Sequence, residues 1–92
     1  VNAIYKYAVP VRSDEISIVM PRGAQILSMQ KQRDGLYLWA LVDTEVVQCL
    51  RKLRLCGTGY EVAAFGPPLG PHIATTQQGD FVWHFFDQGE DL

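Results

Sequence analysis

The stretch Gln25-Ile26-Leu27-Ser28-Met29-Gln30-Lys31-Gln32-Arg33-Asp34-Gly35-Leu36-Tyr37-Leu38-Trp39-Ala40-Leu41-Val42 decides the fold. Asp34-Gly35 is a dipeptide that supplies the positive φ of a tight β-hairpin turn, and it stands between two runs of strand formers. The segment from Ala24 to Val42 therefore reads as a hairpin. Its second arm places Leu36, Leu38, Ala40 and Val42 on one face and Tyr37, Trp39 and Leu41 on the other. Two apolar faces predict a central strand covered on both sides, or one whose outer face meets a partner.

Outward from this hairpin, turn residues cut the chain into short pieces rich in β-branched and aromatic side chains. Asn2 to Val9 alternates, and Pro10 then denies the next backbone donor. Ile16, Ile18 and Met20 share a face of a second strand that Pro21-Arg22-Gly23 closes. Val46 to Leu50 fits helical or strand spacing, whereas Leu53, Lys52, Arg54 and Leu55 alternate as in a strand. Gly57-Thr58-Gly59 breaks that strand, and Phe65-Gly66-Pro67-Pro68-Leu69-Gly70-Pro71 is loop by composition. Ile73 to Gln77 and Phe81 to Asp87 form a last hairpin across Gln78-Gly79-Asp80, with residues 88–92 a frayed acidic tail. The expectation is an all-β, predominantly antiparallel small sandwich or barrel-like domain of about seven short strands.

Composition agrees with one folded domain. The 92 residues are 48% hydrophobic and 20% charged, far from the signature of disorder. A core this small leaves a thin margin, so a homo-oligomer, most simply a two-fold dimer, is expected. Eight Lys and Arg against ten Asp and Glu give a net charge of −2, which argues against bulk nucleic-acid binding. No stretch approaches the ~18 apolar residues of a transmembrane helix. Cys49 and Cys56, seven residues apart on one extended strand, would face opposite ways about 23 Å apart and could not bridge. Two reduced thiols point to the cytoplasm, and no zinc spacing forms with His72 or His84, so no metal or cofactor is expected.

Few constellations could carry chemistry. Gly57-Thr58-Gly59 opens like a phosphate loop, but the third Rossmann glycine position holds Val62 and no Walker Lys follows. Arg51, Lys52 and Arg54 are the densest cations; Lys52 and Arg54 share one face and Arg51 takes the other. They read as a solvated edge, or as a grip on phosphate or carboxylate through bidentate arginine contacts. In the second reading Arg51 and Arg54 are the leading binding residues, and removing either would weaken binding with little effect on folding. His84 lies between Trp83 and Phe85 with no nucleophile-elbow serine, so no catalytic residue is assigned and the chain is not expected to be an enzyme; His84 reads as a structural histidine or, with the glycine turn Gly57-Thr58-Gly59, as a ligand contact. Trp39 and Trp83 are core aromatics or stacking platforms.

Ile4-Tyr5-Lys6-Tyr7, Pro21-Arg22-Gly23-Ala24-Gln25-Ile26-Leu27, Leu38-Trp39-Ala40-Leu41-Val42-Asp43, Gly57-Thr58-Gly59 and Val82-Trp83-His84-Phe85-Phe86-Asp87 together resemble a family of small phage and prophage proteins known only as a domain of unknown function. In that family the glycine turn usually continues with His-Pro, whereas Tyr60-Glu61 follows here, so any role of that histidine is lost or moved. The resemblance implies a phage or prophage source and a host-cytoplasmic protein, and no activity.

Small phage accessory proteins commonly act by occupancy. The first expectation is a stoichiometric binder that neutralises a host defence or regulatory protein through an apolar sheet face or edge. The alternative is a sponge for a nucleotide-type immune signal, enclosed by Arg51 or Arg54, the glycine turn and Trp39 or Trp83. A minor virion or structural component is a third reading.

Overall fold

The computed structural model describes residues 1–33, 35–62 and 68–91. Over these the chain forms seven strands: β1 (Asn2–Ala8), β2 (Glu15–Pro21), β3 (Gln25–Gln32), β4 (Gly35–Asp43), β5 (Gln48–Gly57), β6 (His72–Gln78) and β7 (Phe81–Asp91). Every pairing is antiparallel, and the strands divide into a β1-β4-β3 sheet and a β2-β5-β7-β6 sheet. The all-β reading therefore holds, as a small sandwich-like domain.

Alternation in the sequence dictates which face of each strand turns inward. Ile16, Ile18 and Met20 of β2 are buried while Glu15, Ser17 and Val19 between them are exposed. Leu38, Ala40 and Val42 of β4 meet them with Leu53 and Leu55 of β5 and Phe85 of β7, making one core between the sheets. Burying a side chain such as Phe85 or Leu38 stabilises by roughly 1.5–3 kcal/mol. β4 is the central strand of its sheet, as its two apolar faces predict, but only one of those faces is buried.

The central hairpin turns one residue earlier than the sequence suggests. Gln32 pairs with Gly35, Arg33 carries the positive φ of 43°, and Gly35 begins β4; Asp34 lies outside the described residues. Register explains the difference. The observed pairing sets Met29 opposite the fully buried Leu38 and Lys31 opposite the half-buried Leu36. A loop at Asp34-Gly35 would set Lys31 opposite Leu38, and a charged residue is costly beside the core. Gly35 serves close packing instead, since a Cβ there would come within 3.1 Å of the Tyr37 ring.

The acidic end is also not a free tail. β7 continues to Asp91, pairing Glu90 with Arg51 and Asp91 with Leu50 across a bulge. Carboxylates that read as a solvated terminus lie opposite the basic strand, and Lys52 Nζ stands 3.4 Å from Asp91. Val46 and Val47 lie ahead of β5, which begins at Gln48, so the helical spacing of Val46 to Leu50 is not used. The last hairpin forms, but Gln78, read as part of the turn, pairs with Phe81, which leaves a two-residue loop with Gly79 at φ 59°. The Phe65 to Pro67 part of the loop reading lies outside the described residues, and among those described no helix is long and apolar enough to cross a membrane.

Candidate functional site

The sequence-derived candidates separate into three places. Arg51 sits on the inner face of β5, opposite Ile18 and Glu90. Arg54, Gly57, Thr58, Gly59, Trp83 and His84 gather around the far end of β5 and its neighbour β7. Trp39 stands apart on the outer face of the other sheet.

Arg51 is an internal clamp. Its Nε and Nη2 donate to the two carboxylate oxygens of Asp87 at 2.9 and 2.8 Å, and Nη1 donates to the Ala24 carbonyl at 2.7 Å and reaches Glu90 at 3.5 Å. Glu90 in turn accepts from the Gly23 amide. The network ties the corner at which the chain leaves β2 for β3, in the opposite sheet, to β5 and β7. Burial would raise the Asp87 carboxyl, but hydrogen bonds from Arg51 and the Gly89 amide, with the guanidinium charge, hold it below the usual carboxylate range. The Arg51 guanidinium is pushed up by the hydrogen bond to Asp87. Nearby, burial and the Glu90 charge push the Cys49 thiol up, and both Cys49 and Cys56 are free thiols.

At the other end of β5, Gly59 takes φ 84° in a turn closed by the Tyr60 amide on the Gly57 carbonyl. Gly57 is required by close approach: a Cβ would fall 2.7 Å from the Tyr60 ring and 2.9 Å from Trp83. The two rings meet over this bare backbone, 6.1 Å apart, and Trp83 stacks on Phe81 at 5.6 Å. On the opposite face of the sheet, Thr58 Oγ1 lies 2.7 Å from His84 Nε2, Thr75 Oγ1 lies 3.1 Å from His84 Nδ1, and His72 Nε2 lies 2.9 Å from Thr75 Oγ1. Each ring nitrogen of a neutral histidine either donates or accepts, so the chain runs in one sense or the other throughout. Either His84 tautomer satisfies the chain, and hydroxyls flank that ring where a triad would place a carboxylate.

Of the sequence-derived candidates, Thr58 meets His84 and Gly57 meets Trp83, whereas Asp87, Glu90, Thr75, His72 and Tyr60 were not among them. Thr75 was within reach. A two-residue loop at Gly79-Asp80 sets Gln78 opposite Phe81, and counting back sets Thr75 opposite His84. Asp87 and Glu90 carry no such signal, because the pairing of β5 with β7 is not encoded in a turn.

The third place is the outer face of the β1-β4-β3 sheet. Ile4 pairs with Leu41, Lys6 with Trp39 and Ala8 with Tyr37, so these side chains form rows on one face. Ile4 is 61% exposed, Leu27 and Leu41 are exposed, and Tyr37 and Trp39 are half-buried. Lys6 Nζ rests 4.2 Å from the Tyr37 ring centre and 5.7 Å from that of Trp39.

The chain belongs to the family described as a domain of unknown function (DUF7352), whose model matches residues 1–91. Neither the curated proteins nor the solved structures gave a match. Membership carries neither a source nor an activity.

Proposed function

We propose that the chain is a phage accessory protein acting in the host cytoplasm, where it neutralises a host defence or regulatory protein by stoichiometric binding through the outer face of the β1-β4-β3 sheet. The observation that carries this reading is the row of exposed Ile4 and Leu41 beside half-buried Trp39 and Tyr37 on a sheet whose other face already fills the core. Tryptophan and tyrosine beside aliphatic neighbours are the composition of interface anchors, and apolar surface of this kind gains most when a partner excludes water from it. The phage source rests on the sequence resemblance. The nucleotide reading loses Arg51, whose donors are already engaged.

The test is native mass spectrometry of the tagged protein isolated from phage-bearing host cells, beside a Leu41→Glu variant. Leu41 is exposed, so the variant should keep its melting temperature. A host protein bound in fixed ratio to the wild type and lost from the variant is the expected result. Isolation of the wild type alone, or equal retention by the variant, rejects the reading. A complex containing only a second copy would make the face a dimer interface instead.

A further inference from the structure

Arg54 is the opposite of Arg51. Its side chain is only 19% exposed, yet Nε is buried without a hydrogen-bond partner among the described residues. Its ion-pair partner Asp14 stands 3.7 Å from Nη2, beyond hydrogen-bond distance, and is itself largely exposed. Withdrawing a guanidinium from water without replacing its hydrogen bonds is costly, so such a group calls for an explanation.

The surroundings supply one. Arg54 lines a cavity of about 380 Å³ at the end of β5, together with Arg12, Ser13, Gly57, Tyr60 and Trp83. That volume falls at the low end of small-molecule sites. β2 begins opposite Arg54, so beyond it β5 is flanked by the 11–14 segment, whose Asp14 carbonyl accepts from the Leu55 amide. The cavity therefore has one wall of strand and one of loop. Trp83 is held between Phe81 and Tyr60, while Tyr60 is 60% exposed and presents a ring to solvent. Gly57 removes the side chain that would keep Tyr60 and Trp83 apart.

We infer that this cavity binds a small aromatic anion of mononucleotide size or less, with its phosphate or carboxylate on the Arg54 fork and its ring against Tyr60 backed by Trp83. A planar oxyanion acceptor meets guanidinium through two parallel hydrogen bonds, which the present position of Asp14 does not provide. Arg12 adds a second cation to the wall, and the exposed Asp14 and Glu61 also line it, carboxylates able to accept from ring amino or N–H donors. This site is independent of the sheet face above, because Tyr37, Trp39 and Leu41 take no part in it.

Calorimetric titration with adenosine and guanosine monophosphates, indole-3-acetate, adenosine and inorganic phosphate tests the inference. At least one ring-bearing anion should bind roughly tenfold or more tighter than adenosine or phosphate alone. Binding of a monophosphate assigns phosphate as the anionic group, and binding of indole-3-acetate alone assigns carboxylate. Arg54→Met should abolish that binding while leaving the protein at least as heat-stable as the wild type, and Tyr60→Leu should weaken it severalfold. Arg54→Lys, which keeps the charge, should also bind at least severalfold more weakly because it lacks the fork. Absence of heat with every ring-bearing anion at millimolar concentration overturns the site, as does unchanged affinity in Arg54→Met.

Discussion

Arg51 and Arg54 are the same residue on the same strand, on opposite faces of one sheet, and their surroundings treat them differently. Arg51 has four donor contacts and two carboxylates around it, and its side chain is 12% exposed. Arg54 is nearly as buried and has an ion pair too long for a hydrogen bond. Burial by itself therefore does not mark an arginine as structural. What separates the two is whether the hydrogen bonds that burial demands come from within the chain, as at the β2–β3 corner, or are incomplete among the described residues, as beside the β5 cavity.

The sharpest way to break this contrast is Arg51→Ala. Removing one member of a buried, hydrogen-bonded pair leaves the other uncompensated, so unfolding free energy should fall by about 3 kcal/mol in urea titration. This replaces the expectation of an unchanged melting temperature, which treated Arg51 as a surface cation. A loss under about 0.5 kcal/mol would mean that the clamp is not made in solution. Replacing both partners, as Arg51→Met with Asp87→Leu, should recover about 2 kcal/mol of that loss, because the Asp87 carboxylate is no longer left alone and Glu90 keeps the Gly23 amide.

Acid supplies a second test. The folded-state pKa of Asp87 lies below its unfolded value, so its contribution is fully present above the ordinary carboxylate range and is lost as pH falls through the lower folded value. Melting temperature should therefore drop below about pH 4. Asp87→Asn should be less stable at pH 7 and show a shallower fall across that window. An identical acid slope in both proteins would place the titration elsewhere.

The smallest expected effect has the opposite sign. Arg54→Met should raise stability by about 1 kcal/mol without ligand, since a guanidinium with a buried Nε lacking a hydrogen bond and one long ion pair to an exposed Asp14 is exchanged for an apolar chain of similar length. Destabilisation of that size would show that Arg54 has partners in solution and belongs with Arg51.

The pattern of what could be read from sequence follows the range of the forces involved. The strands of the second sheet were legible because alternation is local: Ile16, Ile18 and Met20 are buried and the residues between them are not. The β6–β7 hairpin was legible because Gly79 sets its loop. The central hairpin was placed one residue late because a favourable turn dipeptide was outweighed by keeping Lys31 away from Leu38. Of the candidate site residues, Thr58 and His84 meet, as do Gly57 and Trp83, whereas Trp39 lies on the other sheet.

The sequence by itself determined the class of fold, the inward faces of the strands and the separation of Arg51 from Arg54, because side-chain alternation has period two and needs no distant information. Only the tertiary structure decided what each arginine meets. Asp87 and Glu90 lie 36 and 39 residues from Arg51 and reach it because β7 lies beside β5, an order that no turn between consecutive strands encodes. Strand order is fixed by which apolar faces close one core together, and that selection acts on the folded chain as a whole.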